Sequence, residues 1–397
     1  MKGLKVFEGS RVFPVDEYHR RTAALQAAMQ ERDQDALLLT TPADVFYVTG
    51  FLTRFWESPS RPWFVVVPAS APPVAVIPSI GADLMRRTWI SDIRTWDAPN
   101  PVDDGVGLLT DTLVSIVRPQ GCIGMPMGLE TQVRMPLGDF MRVSEIIAPR
   151  RFVNATDTVQ RVREIKSELE IRKIREICGI ADTAFGKVPE FAGAGTPLDQ
   201  VFRDFQIALL DAGADWISYT AGGAGQAGYR DVISPADGTP LKTGDILMLD
   251  TGAVRDGYFC DFDRNFAMGD VDLAAHRAHV ALFEATETAL EKLRPGMMAS
   301  DLHAMLIQAL TERGASPCGG RLGHGLGLTL TEWPSLTPKD QTELRDGMVL
   351  TLEPSVLVDH GTRPGTIMVH EENIVLRADG PEMLHRRTTP ELPRIGS

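Results

Sequence analysis

One predicted hairpin in the C-terminal half of the chain carries three closely spaced aspartates. The apolar strand pattern Ile-Leu-Met-Leu ends in Asp250, and Asp261 and Asp263 follow the turn signal Asp256-Gly257, which is typical of a two-residue hairpin loop. If the turn centres on residues 255–256, Asp250 lies opposite Asp261. If it centres on residues 256–257, Asp250 faces Asp263 and is diagonal to Asp261. Both registers place the three carboxylates on one face, within about 4.5–8 Å of one another.

Clustered carboxylates repel one another, and removing them from water is costly unless a cation lies between them. The hairpin therefore points to a metal site. A solvated acidic hairpin is the alternative interpretation, and the hairpin alone does not separate the two.

Three further residues could supply metal ligands. His324 has a glycine on each side, which lets the backbone approach closely and leaves the imidazole open to a partner. Glu353 ends the apolar pattern Val-Leu-Thr-Leu, and Glu371 lies inside another strand pattern. An acidic residue in a buried strand is rare unless it is paired or bound to metal. Taken singly, the histidine could equally be a loop residue and each glutamate a member of an ion pair.

Together, Asp250, Asp261, His324, Glu353 and Glu371 make a set of four carboxylates and one imidazole. Oxygen ligands with one nitrogen suit Mn²⁺, Co²⁺, Fe²⁺ or Zn²⁺. Four acids can bridge two ions about 3.5–4 Å apart, the usual spacing of a two-metal site. The set predicts a site that holds two divalent ions, whose identity the sequence leaves open.

The order of these motifs resembles that of the pita-bread metallopeptidase family, which includes methionine aminopeptidase, Xaa-Pro aminopeptidase, prolidase and creatinase. The shared features, in chain order, are two aspartates eleven positions apart (Asp250 and Asp261), then the motifs Gly-His-Gly-Leu-Gly, Glu-Pro and Glu-Glu. The match extends to Asp-Phe-Asp-Arg at 261–264, where the family has Asp-x-Thr-Arg, and to Glu-Trp-Pro at 332–334. Val-Thr-Gly-Phe at 48–51 is similar to the N-terminal domain of the prolidase and creatinase branch, so the resemblance covers nearly the full length.

The resemblance implies a role for each ligand. Asp250 would chelate one ion, Asp261 and Glu371 would bridge both ions, and His324 and Glu353 would hold the second. Glu353 would also shuttle the proton of the attacking water. Two cations activate that water and polarise the substrate carbonyl, so no nucleophilic serine or cysteine is needed.

The chain departs from the family pattern at positions that contact substrate. The peptidases carry a histidine about seventeen residues before the first aspartate, where this chain has Ile233. A second family histidine is replaced by Thr331, and an arginine by Val369. Transition-state stabilisation depends on such groups, so the changes argue against a standard Xaa-Pro peptidase. They predict that Tyr229, Asp231 and Thr331 line the substrate pocket instead.

A further substrate contact is predicted in the loop at 51–64, which combines aromatic residues with arginines. In creatinase-like dimers a similar segment enters the partner's active site. The resemblance therefore implies that Arg61, close to Trp56, clamps a substrate carboxylate across a homodimer interface, because a guanidinium binds carboxylates in a bidentate way. Arg54 is the competing candidate, and a surface loop with cation–π pairs is the alternative.

The elements that must position these residues divide the chain into two domains, 1–154 and 155–397. Strands alternate with helices in the first, which predicts an α/β layer; the expected segments are helices at 16–33, 44–50, 104–117 and 130–141 and strands at 36–39, 63–67 and 74–77. The second resembles an α+β pita-bread catalytic domain, with helices at 158–191, 198–212, 273–293 and 301–313 and strands near 246, 258, 349 and 374.

Composition excludes several classes of protein. A chain of 397 residues suits two domains. A net charge of −13 repels a phosphate backbone and argues against nucleic acid as a partner, while the same field suits divalent cations. No run approaches the ~20 apolar residues that a membrane helix needs. The four cysteines are scattered without a CxxC pair, which indicates a reducing cytoplasm.

The sequence therefore predicts a homodimeric, cytoplasmic hydrolase with two metal ions, manganese among the candidates, that cleaves a C–N bond in a small carboxylate-bearing substrate. A prolidase-like Xaa-Pro dipeptidase is the nearest description. One alternative is another small-molecule reaction on the same ligand set, as in ectoine hydrolase, creatinase or dimethylsulfoniopropionate lyase. The other is an inactive, peptidase-like binding module.

Overall fold

The computed structural model describes residues 11–56, 62–358 and 365–395. The chain divides into two compact units, Met1–Arg163 and Glu164–Ser397. The division falls later than the predicted boundary at 154. The reason is that the last helix of the first unit packs within that unit: Arg163 Nη1 lies 2.7 Å from Asp44 Oδ1, and Thr158 donates a hydrogen bond of 3.0 Å to Gln34.

The first unit is an α/β layer. Its helices are α1 Val15–Gln30, α2 Pro42–Thr49, α3 Ala82–Met85, α4 Val106–Ile116, α5 Leu137–Ile146 and α6 Thr156–Arg163. Its strands are β1 Ala36–Leu39, β2 Phe64–Pro68, β3 Val74–Pro78, β4 Asp92–Trp96, β5 Cys122–Met125 and β6 Arg151–Asn154. The strands form one mixed sheet in the order β4-β3-β2-β1-β5-β6. Every residue of β1, β2 and β3 is buried, as their unbroken apolar runs predict.

The second unit carries the predicted metal ligands. Its helices are α7 Glu168–Phe185, α8 Val188–Phe191, α9 Leu198–Asp211, α10 Leu273–Lys292 and α11 Ala299–Glu312. Its strands are β7 Trp216–Gln226, β8 Asp245–Arg255, β9 Tyr258–Phe259, β10 Phe262–Met268, β11 Ser316–Cys318, β12 His324–Gly325, β13 Glu332–Ser335, β14 Val349–Leu352, β15 Ser355–Val358, β16 Thr366–Val369, β17 Glu372–Arg377, β18 Gly380–Met383 and β19 Arg394–Ile395.

Three antiparallel-rich sheets form the framework of this unit. Their strand orders are β19-β10-β8-β7 (with β9 paired to β8), β11-β15-β16 and β13-β12-β14-β17-β18. The helices α7 and α9 pack on the first sheet, and α10 packs on β15 and β16. Strands and helices are segregated rather than alternating, which is the α+β arrangement expected for this half.

The prediction of one continuous helix over 158–191 is wrong. Helix α6 ends at Arg163, and α7 starts after Ser167, whose hydroxyl accepts the Glu170 N–H at 3.3 Å while the Glu170 carboxylate accepts the Ser167 N–H at 3.0 Å. This reciprocal capping box satisfies the free amides of a new helix start. The intervening residues pair with the second unit, where Lys166 forms a buried ion pair of 3.1 Å with Glu332.

No helix among the described residues is long and apolar enough to span a bilayer.

Candidate metal centre

The hairpin of β8 and β10 follows the second of the two predicted registers. Asp256 and Gly257 form the turn with φ of 50° and 85°, the left-handed conformations that a two-residue hairpin of this type requires. The turn pairs Arg255 with Tyr258 and sets Asp250 opposite Asp263.

The hairpin is interrupted immediately before the second predicted ligand. Strand β9 ends at Phe259 and β10 begins at Phe262, so the peptide groups of Asp261 are not paired within the hairpin. The fully buried side chain of Asn373 replaces the missing partner. Its Oδ1 accepts the Asp261 N–H at 3.0 Å, and its Nδ2 donates to the Asp261 carbonyl. The backbone of Asp261 is thereby held from β17, on another sheet.

Three of the five predicted ligands converge. Asp261, His324 and Glu371 are all buried, and each offers a ligand atom within 4.8 Å of the others. Nε2 of His324 lies 3.2 Å from Oδ2 of Asp261. On its other side, Nδ1 of His324 lies 2.8 Å from the carbonyl of Gly325. A proton on Nδ1 would be held by that carbonyl and would leave the Nε2 lone pair for a metal ion.

The glycines beside His324 are required by the strands around it. A Cβ atom at Gly323 would lie 2.2 Å from the Thr351 carbonyl oxygen, and one at Gly325 would lie 2.1 Å from the Trp333 carbonyl oxygen. Gly323 also has a φ of 138°, which L side chains rarely adopt. The glycines therefore let the short strand β12 approach β13 and β14 closely, and that approach sets the position of the imidazole.

Asp250 joins this cluster through a residue that the sequence did not single out. The Tyr219 hydroxyl, on β7, lies 3.1 Å from Oδ2 of Asp250 and within hydrogen-bond distance of Oδ1 of Asp261. Burial, together with the nearby charges of Asp250, Asp261 and Glu371, raises the pKa of Tyr219 well above its usual value. The phenol therefore stays protonated and can donate its single proton to either of the two carboxylates.

The electrostatics of the cluster call for a cation. Burial, followed by the charge of Asp261, raises the pKa values of Asp250 and Glu371 well above their usual range. Burial also raises the pKa of Glu353, although its neighbour His324 acts against the shift. Within the described residues, Oδ1 of Asp250 and Oε1 of Glu371 are buried without a hydrogen-bond partner. Buried carboxylate oxygens without donors are costly, and divalent cations satisfy them, so the residues present fit a metal site.

Asp263 stays close to the ligands but has partners of its own. Its Oδ1 accepts the backbone N–H of Glu371 at 2.7 Å, and its Oδ2 accepts from Asn265 at 3.2 Å. Burial raises its pKa well above the usual value, against the opposing charge of Arg264. Its contacts fix the backbone that carries Glu371.

A buried ionic cluster lies beside Glu371. Glu372 is fully buried, with Arg264 Nη2 at 3.2 Å, His370 Nε2 at 3.1 Å and His385 Nε2 at 3.4 Å from its carboxylate. Burial acts to raise the pKa of Glu372, but Arg264 and His370 outweigh it and hold that pKa far below its usual value. The sequence predicts the ligand role for Glu371 rather than for Glu372, its neighbour in the Glu-Glu pair. The structure directs Glu371 to the other ligands and Glu372 to the arginine.

The predicted substrate-binding residues of the second unit have different environments. Tyr229 is 2% exposed, and its hydroxyl accepts the Val369 N–H at 2.7 Å, so it packs in the core and offers no surface to a substrate. Asp231 is exposed, and its carboxylate accepts the backbone N–H groups of Ile233 and Ser234 at 3.0 Å each. It therefore shapes the loop around Ile233. Thr331 is half-buried, and its carbonyl accepts the Thr329 hydroxyl.

Of the predicted contacts in the first unit, Trp56 and the competing candidate Arg54 lie in the described part of the chain, and Arg54 is exposed. Trp56 is half-buried and packs against Trp63, with ring centroids 5.8 Å apart. The guanidinium of Arg134 lies 5.1 Å from the centroid of its ring. Arg61 lies outside the described residues, so its predicted role stays a prediction.

Known proteins match both units. The family model described as metallopeptidase family M24 matches residues 172–378, more than half of the chain. The creatinase/prolidase N-terminal domain model matches residues 21–165. These matches confirm the predicted resemblance and the predicted pairing of an α/β N-terminal domain with a pita-bread catalytic domain.

Individual relatives extend over most of the chain. A probable dipeptidase PepE of Mycobacterium tuberculosis is 27% identical over 372 residues, covering 93% of this chain and 94% of that protein. An Xaa-Pro dipeptidase of Pyrococcus horikoshii is 28% identical over 261 residues, covering 65% of this chain and 72% of that protein. The crystal structure of dipeptidase PepE from Mycobacterium ulcerans superposes with a TM-score of 0.82 at 24% identity, covering 97% and 100% of the two chains.

Proposed function

We propose that this chain, which belongs to metallopeptidase family M24, is a metal-dependent dipeptidase. The observation that carries the proposal is the buried convergence of Asp261, His324 and Glu371, accompanied by carboxylate oxygens that have no donor. The relatives named as dipeptidases supply the substrate class. They do not favour the alternative small-molecule reactions or an inactive binding module.

The residues proposed to hold the metal are Asp250, Asp261, His324, Glu353 and Glu371. Membership of the family implies divalent metal ions; that there are two of them, and that manganese is among the candidates, is part of the proposal. Divalent cations in such a site polarise the scissile carbonyl and make an attacking water more acidic.

The chain's own groups orient the ligands and move the proton. The Tyr219 hydroxyl lies between the carboxylates of Asp250 and Asp261 and orients them by donating its proton to one or the other. Gly325 fixes the imidazole of His324. Glu353, whose side chain is half-buried, would take a proton from the attacking water and deliver it to the leaving amine, the role that the family resemblance implies.

The proposed substrate is a dipeptide rather than a long peptide. Ile233, Thr331 and Val369 stand where the peptidases that the sequence resembles carry side chains able to donate hydrogen bonds. Without those donors, positioning of a substrate must rely on the remaining walls of the site.

A homodimeric state and a cytoplasmic location belong to the same proposal. Light scattering on the purified protein tests the homodimeric state.

The experiment is a hydrolysis assay of the Mn²⁺-loaded protein on a panel of dipeptides and small amides. We expect release of free amino acids from at least one dipeptide, lost on treatment with a chelator and restored by Mn²⁺. Asp261→Asn should be inactive, while Asp346→Asn, at an exposed carboxylate of the same unit, should match the wild type. Hydrolysis of small amides but of no dipeptide would refute the proposed substrate class.

A further inference from the structure

An open groove lies beside the metal centre. Its volume is about 610 Å³, and it runs between α9 and the loop at 231–236, against β7. All of its lining residues belong to the second unit. The volume lies within the range of about 300–1,000 Å³ that small-molecule sites occupy.

Large apolar side chains converge on this groove. Ile207 and Leu210 of α9 are each 49% exposed, and Ile233 on the loop is 89% exposed. Single exposed apolar residues are ordinary on a protein surface, but a contiguous group around a concavity marks a binding site. The charged residues in the lining are Asp199 and Arg203, whose formal charges cancel, so the lining carries no net charge and its aliphatic side chains can contact an uncharged apolar group.

The groove shares a wall with the metal centre. Tyr219 lines it, and the hydroxyl of the same residue lies 3.1 Å from a carboxylate oxygen of Asp250. A molecule in the groove is therefore separated from a metal ligand by one side chain. The neighbouring Thr220 also lines the groove, and within the described residues its hydroxyl is buried without a hydrogen-bond partner.

We infer that the groove is the side-chain pocket of the substrate and that it selects a dipeptide with an apolar residue. The inference deepens the proposed dipeptidase function and rests on it. With a scissile carbonyl at the ligands, an adjoining aliphatic side chain would lie against Ile207 and Ile233 and would cover their exposed surface. A small or hydroxylated side chain would leave that apolar surface in contact with water. Ile207, Leu210 and Ile233 are thus specificity-determining residues.

The test compares leucine-containing with serine-containing dipeptides in matched variants. The substrates are Leu-Gly, Gly-Leu, Ser-Gly and Gly-Ser, and the variants are Ile207→Ser and Ile233→Ser, both at exposed positions where the fold should tolerate the change. Leu273→Ser is the control, because Leu273 is an aliphatic residue that is 71% exposed and does not line the groove.

For the wild type we expect kcat/KM to be at least tenfold higher for one leucine dipeptide than for its serine counterpart, the discrimination typical of a few apolar groups. Each groove variant should reduce this ratio about fivefold or more by raising KM for the leucine substrate, with kcat and metal content unchanged. Leu273→Ser should keep the wild-type ratio. A wild-type ratio near one, or a ratio that neither groove variant alters, would overturn the inference.

Loss of the proposed function would be visible separately. If the metal-loaded wild type hydrolyses none of the four dipeptides, that function fails, and calorimetric titration with the two leucine dipeptides decides the inference directly. Binding that Ile207→Ser weakens and Leu273→Ser leaves intact would support the groove as a site for apolar side chains. Absence of binding, or equal binding by both variants, would refute it.

Discussion

Tyr219→Phe removes a single hydroxyl that contacts two predicted ligands. The hydroxyl lies 3.1 Å from Oδ2 of Asp250 and also contacts Oδ1 of Asp261, and its hydrogen bond lowers the pKa of the Asp250 carboxyl against the larger, opposing effects of burial and neighbouring carboxylates. Without it the pKa of Asp250 rises further. Because a metal ion binds only the deprotonated carboxylate, the variant should bind metal more weakly.

The size of the effect follows from the bond that is lost. A hydrogen bond to a charged acceptor contributes about 1.5–3 kcal/mol, and about 1.4 kcal/mol corresponds to a tenfold change in affinity. Mn²⁺ affinity should therefore fall about 10- to 100-fold, in line with the usual effect of groups that orient metal ligands. Since protons compete with the metal, the loss should be larger at pH 6 than at pH 8.

The assay is competition for Mn²⁺ between the protein and a chelator of known affinity. Tyr258→Phe is the matched control, because its hydroxyl donates to the carboxylate of Glu170 at 3.1 Å in the same unit and does not touch a predicted ligand. The control should lose stability but keep the wild-type affinity. Equal Mn²⁺ affinity in Tyr219→Phe and the wild type at both pH values would refute the reasoning.

The remaining predictions concern the ligands, the substrate and stability. Asp261→Ala and Glu371→Ala should each lose both metal ions, because each would bridge them; elemental analysis that finds full metal content in either variant would contradict this. Long Xaa-Pro peptides should be poor substrates, since each missing donor costs roughly 10²–10³ in rate, and rapid removal of their first residue would show that other groups compensate. Arg61→Ala should raise KM for a carboxylate substrate without changing metal content, with only partial rescue in Arg61→Lys; an unchanged KM would remove Arg61 from the site. Burial lowers the pKa of His279 from 6.5 to about 4, so the unfolded chain takes up this proton first as pH falls. The free energy of unfolding should therefore drop by about 3 kcal/mol between pH 6.5 and 4 through this residue; His279→Gln should show a correspondingly weaker pH dependence in denaturant titrations, and identical slopes would disprove the assignment.

The elements that the sequence predicts well are those whose pattern is local. Strand β1 lies at the predicted residues 36–39. The prediction succeeds because a short, unbroken apolar run between turn signals is typical of a buried strand. Helix α5 differs: it was expected over 130–141 and occupies Leu137–Ile146 after an N-cap at Pro136. Proline disfavours the helical conformation in the residue before it, so Pro136 marks the start of the helix, and the predicted range begins and ends too early.

The long helix expected over 158–191 was misplaced for a related reason. The run of opposite charges at residues 163–170 favours a helix there, but Ser167 and Glu170 form a capping box that starts a new helix. The Ser-x-x-Glu pattern is visible in the sequence and is a known start signal. The ion pairs of Glu164 with Arg345 and Lys166 with Glu332 then hold the preceding segment out of helical geometry, and those partners are far away in the sequence.

At the candidate site, too, the sequence reveals local motifs but not contacts between distant segments. The order of the five ligands can be found in the sequence because each is set in a recognisable local motif. Tyr219 and Asn373 cannot be found in this way, because their roles depend on contacts between distant segments. Tyr219 reaches the ligands only because β7 pairs with β8, and Asn373 reaches Asp261 only because the hairpin is interrupted at that residue. Neither the pairing nor the interruption leaves a local pattern of residue types.

The metal ligands and the residues predicted to surround the substrate lie in different parts of the second unit. This explains how the substrate-contacting residues can change while the metal ligands stay the same. Asp250 lies within β8, and Glu353 and Glu371 directly adjoin β14 and β17, so moving any of them would disturb a hydrogen-bonded ladder. Ile233 and Thr331 lie in loops between strands, where a new side chain alters only the wall of the site. Replacement of the family's histidines at these two positions is therefore compatible with an intact ligand set. It follows that substrate preference should be altered by substitutions in the loops and on α9, while metal binding should respond to substitutions at the strands.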